Sequence, residues 1–434
     1  MSHHPFVRAL LCCGALLAPW IAAQQPAAQQ AEAPSRPVCG RVEDHGGLKL
    51  LRVWGTPAER GYAHGNLLGK EIAAVATAEF TARFARQQPV LKQVRDAVDR
   101  LIEYPEDVQA EIEALYAGLV DSKANLHMVE LDRDFDLKDL MVANALDVFG
   151  LLGCSSFTLW GDQVEGGGVL AGRNFDWPLT GAHMVDSTML IVEHLPDGRA
   201  VAWVGWPGYV AAVTGVNSEG LATFLHVGSA VVTFTPEPES WPSAIAVRVL
   251  LERCKAADGE AVFAECKRLL GNTSPPAGYL THVVLPRAAD GAAPFAVFET
   301  DSKSCVPAER AAGAASVLTN HFLTRADGRP ASKDSVDREK RVRRGIDGCL
   351  GEGDKKVSID ESWELLRSVQ RGGVQAFGTL HSVVFRYEPW CFELRVASMD
   401  GRKIVAAPDS TRRHALTREQ LFATGEKLGE KLGK

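Results

Sequence analysis

Residues 153–177 leave the chain little freedom in what it can build. Gly153-Cys154-Ser155-Ser156-Phe157-Thr158-Leu159-Trp160 alternates like a half-buried strand. Gly166-Gly167-Gly168 supplies a tight turn, and Ala171-Gly172-Arg173-Asn174-Phe175-Asp176-Trp177 returns as a second strand. Antiparallel pairing puts Cys154, Arg173 and Asp176 near one end of a hairpin. A thiol next to a fixed cation favours thiolate, so Cys154 is the candidate nucleophile and Arg173 the group expected to lower its pKa.

The texture on either side differs. Residues 49–54 read as a strand, and Thr56-Pro57-Ala58-Glu59 has the cap, proline and acid of a helix start. From there to about residue 150 the periodicity is helical. After Gly153, strands are expected at 155–160, 169–175, 187–194, 200–205, 209–216 and 220–227, and helices near 243–255 and 259–270. Further strands follow near 281–286, 294–300 and 315–319, helices near 334–347 and 359–370, and strands at 380–387 and 391–398. The tail from Thr417 reads as a solvated helix. The class is α+β, and two antiparallel sheets between helix layers accommodate it.

Residues 1–23 read as a secretory signal peptide: a weakly basic start, an apolar run and Ala22-Ala23 before Gln24. Residues 24–48 read as a flexible leader, rich at first in Gln, Ala and Pro. A secreted or periplasmic location follows. The formal charge of −7 carries no basic block, so nucleic acid is not an expected partner. Seven cysteines lie beyond the signal, an odd number, so at least one thiol lacks a partner within the chain. No CxxC pair, HExxH, GxSxG, P-loop or GxGxxG occurs, and His183 and His194 are isolated; neither a metal nor a cofactor is expected.

Gly-Cys-Ser-Ser-Phe followed by Gly-Arg-Asn-Phe-Asp-Trp resembles the cysteine-type N-terminal-nucleophile (Ntn) hydrolases, the group of isopenicillin N acyltransferase, choloylglycine hydrolase, penicillin V acylase and acid ceramidase. Gly55–Gly65, the Gly215–Leu221 turn, Thr319-Asn320-His321-Phe322 and Ser335 with Arg338 are similar to further motifs of that group, so the likeness runs from about residue 50 to 400. It implies a four-layer αββα sandwich with a helical N-terminal segment. It also implies self-cleavage between Gly153 and Cys154 into a helical α fragment (49–153) and a catalytic β fragment (154–434) that stay associated.

In that chemistry the freed α-amine of Cys154 is the base for its own thiol. The thiolate attacks a linear, non-peptide N-acyl amide, and water or an acceptor amine resolves the thioester. The resemblance assigns Asp176 to orient the amine, Asn320 to donate to the oxyanion, and Arg338 to the site. Asn217 and His226, with Trp177, are weaker assignments to the substrate pocket; Asn217 also reads as a turn residue and His226 as a core histidine. Trp160, Trp203, Trp206 and Tyr209 are further aromatic candidates for its walls. Two other functions stay open: a phospholipase-B-like ester hydrolase, and a non-catalytic secreted protein that keeps the fold. Self-association into a homo-oligomer is compatible with the sequence.

Overall fold

The hairpin read from the sequence forms the centre of one of two large sheets. The computed structural model describes residues 36–149, 153–180, 182–228, 240–255, 259–287, 292–308, 315–325, 330–351, 355–371, 377–400 and 403–424. The signal peptide, residues 24–35 of the leader and the tail beyond residue 424 lie outside the described residues. Val38–Lys434 is assigned to one structural unit.

Gly153–Trp160 pairs antiparallel with Val169–Pro178, with Cys154 opposite Phe175, Gly153 opposite Asp176 and Ser156 opposite Arg173. The six-stranded sheet runs Ala315–Leu318, Gly153–Trp160, Val169–Pro178, Phe377–Tyr387, Trp390–Val396, His414–Leu416. A nine-stranded sheet runs Gly40–His45, Leu48–Trp54, Met189–His194, Ala200–Gly205, Thr214–Asn217, Ala222–Val227, Tyr279–Val284, Phe295–Thr300, Cys305–Pro307. One of its seams is parallel, Leu48–Trp54 against Met189–His194.

Three apolar layers define the stacking. Leu50, Leu190, Val192 and Phe224 of the larger sheet meet Val169, Ala171, Val383 and Phe385 of the smaller one. Leu51, Val53, Ile191 and Trp203, on the other side of the larger sheet, share a core with Ile72, Phe80, Leu115, Val249 and Leu250 of the helices. Phe157, Leu159 and Leu170 pack with Val342, Ile346, Leu365 and Leu366 of helices Lys333–Gly351 and Ile359–Arg367. The order is helix, sheet, sheet, helix: the αββα sandwich that the resemblance implied.

The helical segment starts on Thr56, whose hydroxyl and Glu59 form a reciprocal capping box at Pro57–Leu67. That helix lies against Glu106–Asp121 at backbone distance. A Cβ on Gly61 or Gly65 would collide with the carbonyls of Glu111 or Leu115, and one on Gly118 with that of Tyr62. Behind this contact a buried ion cluster crosses from the helical segment to the later chain. Arg60 and Glu111 meet Arg248, Glu193 and Glu252, with Arg60 Nε 3.0 Å from Glu193 and Arg248 Nη2 2.8 Å from Glu193.

Three expectations change. Gly40–His45 falls inside the expected flexible leader, yet it pairs with Leu48–Trp54 through Gly46 and Gly47, whose φ of 63° and 92° suit a two-residue hairpin turn. Its charged Arg41 and Glu43 take the half-buried side because they are paired there, Glu43 accepting from Arg41 and from Arg52, while Val42 faces out. The strand expected at 209–216 is present only as Thr214–Asn217. Upstream of it the backbone is satisfied differently: Val210 N donates to Asn144 Oδ1 at 2.8 Å and Ala212 N to Ala244 O at 3.0 Å. The described part of the tail helix, Arg418–Phe422, is docked rather than solvated. Leu421 is fully buried, and Arg52 donates to the carbonyls of Gln420 and Leu421 at 2.6 Å each.

Candidate active site

Alternation along Gly153–Trp160 decides what each residue faces. Cys154, Ser156 and Thr158 point to the larger sheet: Ser156 Oγ is 2.8 Å from His226 Nε2 and 3.0 Å from His282 Nδ1, and Thr158 Oγ1 is 3.1 Å from His282 Nε2. Ser155 points the other way, to Arg338 on the helix Lys333–Gly351.

Cys154 is fully buried and held at every polar group. Its thiol donates to Leu225 O at 3.2 Å, and Arg173 Nη2 donates to its Sγ at 3.0 Å. Its backbone N donates to Asn320 Oδ1 at 2.9 Å, and Arg338 Nη1 donates to its carbonyl at 2.5 Å. Arg338 also donates to Ser155 Oγ at 2.7 Å and to Asn320 Oδ1 at 2.8 Å, and is only 3% exposed. Its neighbours Arg341, Arg343 and Arg344 bond Ser368 O, Glu339 and Lys340 O instead.

Arg173 is fully buried as well. It donates to the carbonyls of Val213 and Leu225, to Thr214 Oγ1 and to the sulfur. Among the described residues no carboxylate pairs with it. A desolvated guanidinium surrounded by neutral acceptors is costly, and a thiolate at Cys154 would supply the counter-charge. Burial pushes the Cys154 thiol above its usual value; Arg173 and Arg338 pull it down and Asp176 adds to the rise. Arg173 thus acts on the thiol in the expected direction, and full desolvation outweighs it in the net shift.

Asp176 shares the end of the hairpin but not the face of the thiol. Three residues along a strand reverse the side, so Asp176 stands across from Gly153 on the opposite face from Arg173. There it accepts from Thr379 Oγ1 at 2.6 Å and lies 3.1 Å from Arg371 Nε. Asn320 stands at the backbone nitrogen of Cys154. Its Nδ2 donates to Val227 O at 3.1 Å, while its Oδ1 accepts from the Cys154 nitrogen at 2.9 Å. Ser335 Oγ fixes it by accepting from Asn320 N at 2.7 Å and is itself 2.8 Å from His321 Nδ1.

Asn217 is a turn residue and does not line the pocket. Its Nδ2 donates to Leu251 O and Cys254 O, and its Oδ1 accepts from Glu219 N and Leu221 N, which uses its bonding capacity. His226 is a buried core histidine on Ser156, and burial followed by Arg173 keeps it well below the usual histidine range. Trp177 does line an apolar cavity, together with Trp206, Tyr209, Phe175 and Val213. Trp160 packs on Phe295, and Trp203 lies under Arg248, so neither lines it. Much of the wall comes from the helical segment through Ile72, Phe80, Phe84 and Leu140. Phe175 is the cross-strand partner of Cys154, and the Val213 carbonyl holds Arg173, so the cavity adjoins Cys154.

Among the described residues no group of three or more His, Cys, Asp or Glu is placed to hold a metal ion, and no helix is long and apolar enough to cross a membrane. The sequence had not singled out Thr214, His381, Thr379 or Arg371. They lie far from Cys154 along the chain and belong to no motif; only the pairing of Phe377–Tyr387 with Val169–Pro178 brings Thr379 and His381 in.

A family model described as acyl-coenzyme A:6-aminopenicillanic acid acyl-transferase matches residues 164–400, a span that contains Arg173, Asp176, Asn320 and Arg338. Protein dcd1B of Dictyostelium discoideum is 26% identical over 196 residues, 40% of this chain and 37% of that protein. An uncharacterized protein of Archaeoglobus fulgidus is 26% identical over 218 residues, 45% of this chain and 35% of that protein. The chain thus spans little more than a third of the curated relatives it matches. Similar solved structures include an N-acylethanolamine-hydrolyzing acid amidase ortholog of Caenorhabditis elegans (15% identity, TM-score 0.40, covering 54% of this chain and 92% of that one). A mutant conjugated bile acid hydrolase of Clostridium perfringens (14%, TM-score 0.41, 61% and 96%) and penicillin V acylase of Agrobacterium tumefaciens (14%, TM-score 0.40, 63% and 89%) are others.

Proposed function

Because the chain belongs to the acyl-coenzyme A:6-aminopenicillanic acid acyl-transferase family, we propose that it is a secreted, self-cleaving cysteine Ntn enzyme. It cleaves the amide bond of a linear N-acyl compound, or transfers the acyl group, through a thioester on Cys154. The observation that carries this reading is the grip on Cys154: sulfur on Arg173, nitrogen on Asn320, carbonyl on Arg338, with no carboxylate on Arg173 among the described residues.

In maturation the Cys154 sulfur adds to the Gly153 carbonyl carbon and the carbon–nitrogen bond breaks. The acyl thioester of Gly153 is then hydrolysed. Glycine leaves that carbonyl unobstructed. The departing Gly153 vacates the place opposite Asp176, where the new ammonium stands between Asp176 and Asn320. In turnover the amine accepts the thiol proton, the thiolate attacks the substrate carbonyl, and the leaving amine takes the proton. Holding base and nucleophile in one residue leaves little entropy to lose. The apolar cavity beside Phe175 receives the acyl group.

Denaturing electrophoresis with N-terminal sequencing of the purified protein tests this. Two fragments are expected, one beginning at Cys154, together with turnover of members of an N-acyl amide panel. Cys154→Ala is expected to remain one chain without turnover. An uncut wild-type chain whose turnover equals that of Cys154→Ala sinks the reading.

A further inference from the structure

Next to the nucleophile lies a polar chain that the chemistry above does not use. Thr214 Oγ1 accepts from Arg173 Nη1, the other arm of the guanidinium whose Nη2 is on the Cys154 sulfur. Thr214 Oγ1 is also 3.3 Å from His381 Nε2. All three side chains are fully buried. Thr214 Oγ1 and His381 Nε2 share one hydrogen bond whose direction depends on the histidine tautomer, and in either direction it ties the hydroxyl to the ring.

A fault in the sheet puts His381 there. Asp176 pairs with Thr379 and Phe175 with His381, so Leu380 is an extra residue with no partner across that seam. Without this bulge Thr379 and His381, two apart, would share a face; with it they oppose Asp176 and Phe175, which do not. The bulge thus sends Thr379 to the carboxylate on one side and His381 to the thiol side on the other. His381 then stacks on Phe175, with ring centroids 5.0 Å apart and an interplanar angle of 15°. Cys154, Phe175 and His381 stand in one cross-strand row.

We propose that Thr214 and His381 are positioning residues that hold the Arg173 guanidinium against the Cys154 sulfur. The inference rests on the catalytic reading of Cys154 above. Arg173 reaches the sulfur with one terminal nitrogen, and rotation of the guanidinium plane would break that contact. Bonds from Nη1 to Val213 O and Thr214 Oγ1 block this rotation, and His381 in turn fixes the hydroxyl. His381 suits the task because burial, and then Arg173, hold its pKa well below the usual histidine range, so it stays neutral beside a cation. The charged groups bearing on the sulfur are Arg173, Asp176 and Arg338; among these only Arg173 touches Thr214.

The test titrates the Cys154 thiol by thiolate ultraviolet absorbance, as the difference from the Cys154→Ala chain, and follows kcat/KM against pH. Thr214→Val is expected to raise the apparent thiol pKa by about one unit and move the acid limb of kcat/KM upward with it. Thr214→Ser, which keeps the hydroxyl, is expected to restore both. His381→Leu should repeat the shift and His381→Gln, with a hydrogen-bonding amide near Nε2, should reverse it. An unshifted thiol in folded Thr214→Val, or a serine or glutamine variant that shifts as far as its apolar counterpart, overturns the proposal. If Thr214→Val does not fold, the His381 pair decides by the same criterion. The absorbance titration needs no substrate, so it reads this proposal even where the amidase reading fails on turnover.

Discussion

At the scale of single residues, the site separates groups that act on sulfur from groups that act on nitrogen. Arg173 lies on the sulfur side and Asn320 on the nitrogen side, with Asp176 across from Gly153. Asn320→Ala is therefore expected to slow both the appearance of fragments and kcat, each by ~10²-fold, the worth of a hydrogen bond to a charged group. KM should change little; normal processing with only KM raised would contradict the assignment. The identity of these residues was legible, since motif and spacing picked out Cys154, Arg173, Asp176, Asn320 and Arg338. Their duties were less so, because the face on which Asp176 emerges depends on strand parity at that point. A second residue-scale expectation concerns Asp147 in the cavity wall, which accepts from Ala244 N at 3.0 Å and whose carboxyl burial pushes up to about 6. A folded-state value above the unfolded one favours folding at low pH and loses that advantage as pH rises from about 4 to about 6. Relative to Asp147→Asn, wild type should lose roughly 3 kcal/mol of unfolding free energy across that window. Parallel pH curves for the two proteins in urea unfolding would rule this out.

Among the elements, the pair of helices Pro57–Leu67 and Glu106–Asp121 has the least slack. Gly61, Gly65 and Gly118 let the two backbones touch, so Gly65→Ala must push them apart. A cost of ~3 kcal/mol is expected in thermal or denaturant unfolding, at the upper end for overpacking. A change below ~0.5 kcal/mol would show that the contact yields freely. The capped start at Thr56 was readable in advance because capping chemistry is local. The stretch Tyr209–Val213 was not: its alternation suits a strand, but its backbone bonds go to Asn144 and to the start of the helix Ser243–Arg253. The bulge at Leu380 was hidden for the same reason. Nothing in Gly378-Thr379-Leu380-His381 marks which residue goes unpaired; the registry of the neighbouring strand decides it.

For the whole molecule, the sandwich was legible because helices precede Gly153 and mainly strands follow it. What the sequence hid is how tightly the first part is sewn into the second. Leu48–Trp54 joins Met189–His194 within the larger sheet, and Arg60 and Glu111 join Arg248, Glu193 and Glu252 out of water. Burial pushes the Glu193 carboxyl upward, so this cluster depends on its cations. Cut protein is expected to elute as one species in native size-exclusion chromatography. Arg248→Ala, which leaves the buried carboxylates of Glu111 and Glu193 with only Arg60 against them, should cost about 3–5 kcal/mol in unfolding. Spontaneous separation of the wild-type fragments without denaturant would contradict this. The parallel seam also sets a one-way order in time. Leu48–Trp54 is synthesised long before its partner strand, and while the chain is whole its own tether keeps the two at high effective concentration. A cut between them turns that ring closure into a meeting of two bodies. If the chain is cut as proposed, uncut protein unfolded by heat can find its way back alone, whereas the cut form, once its pieces drift apart, has no such route, so its lifetime would be set by how slowly it first opens.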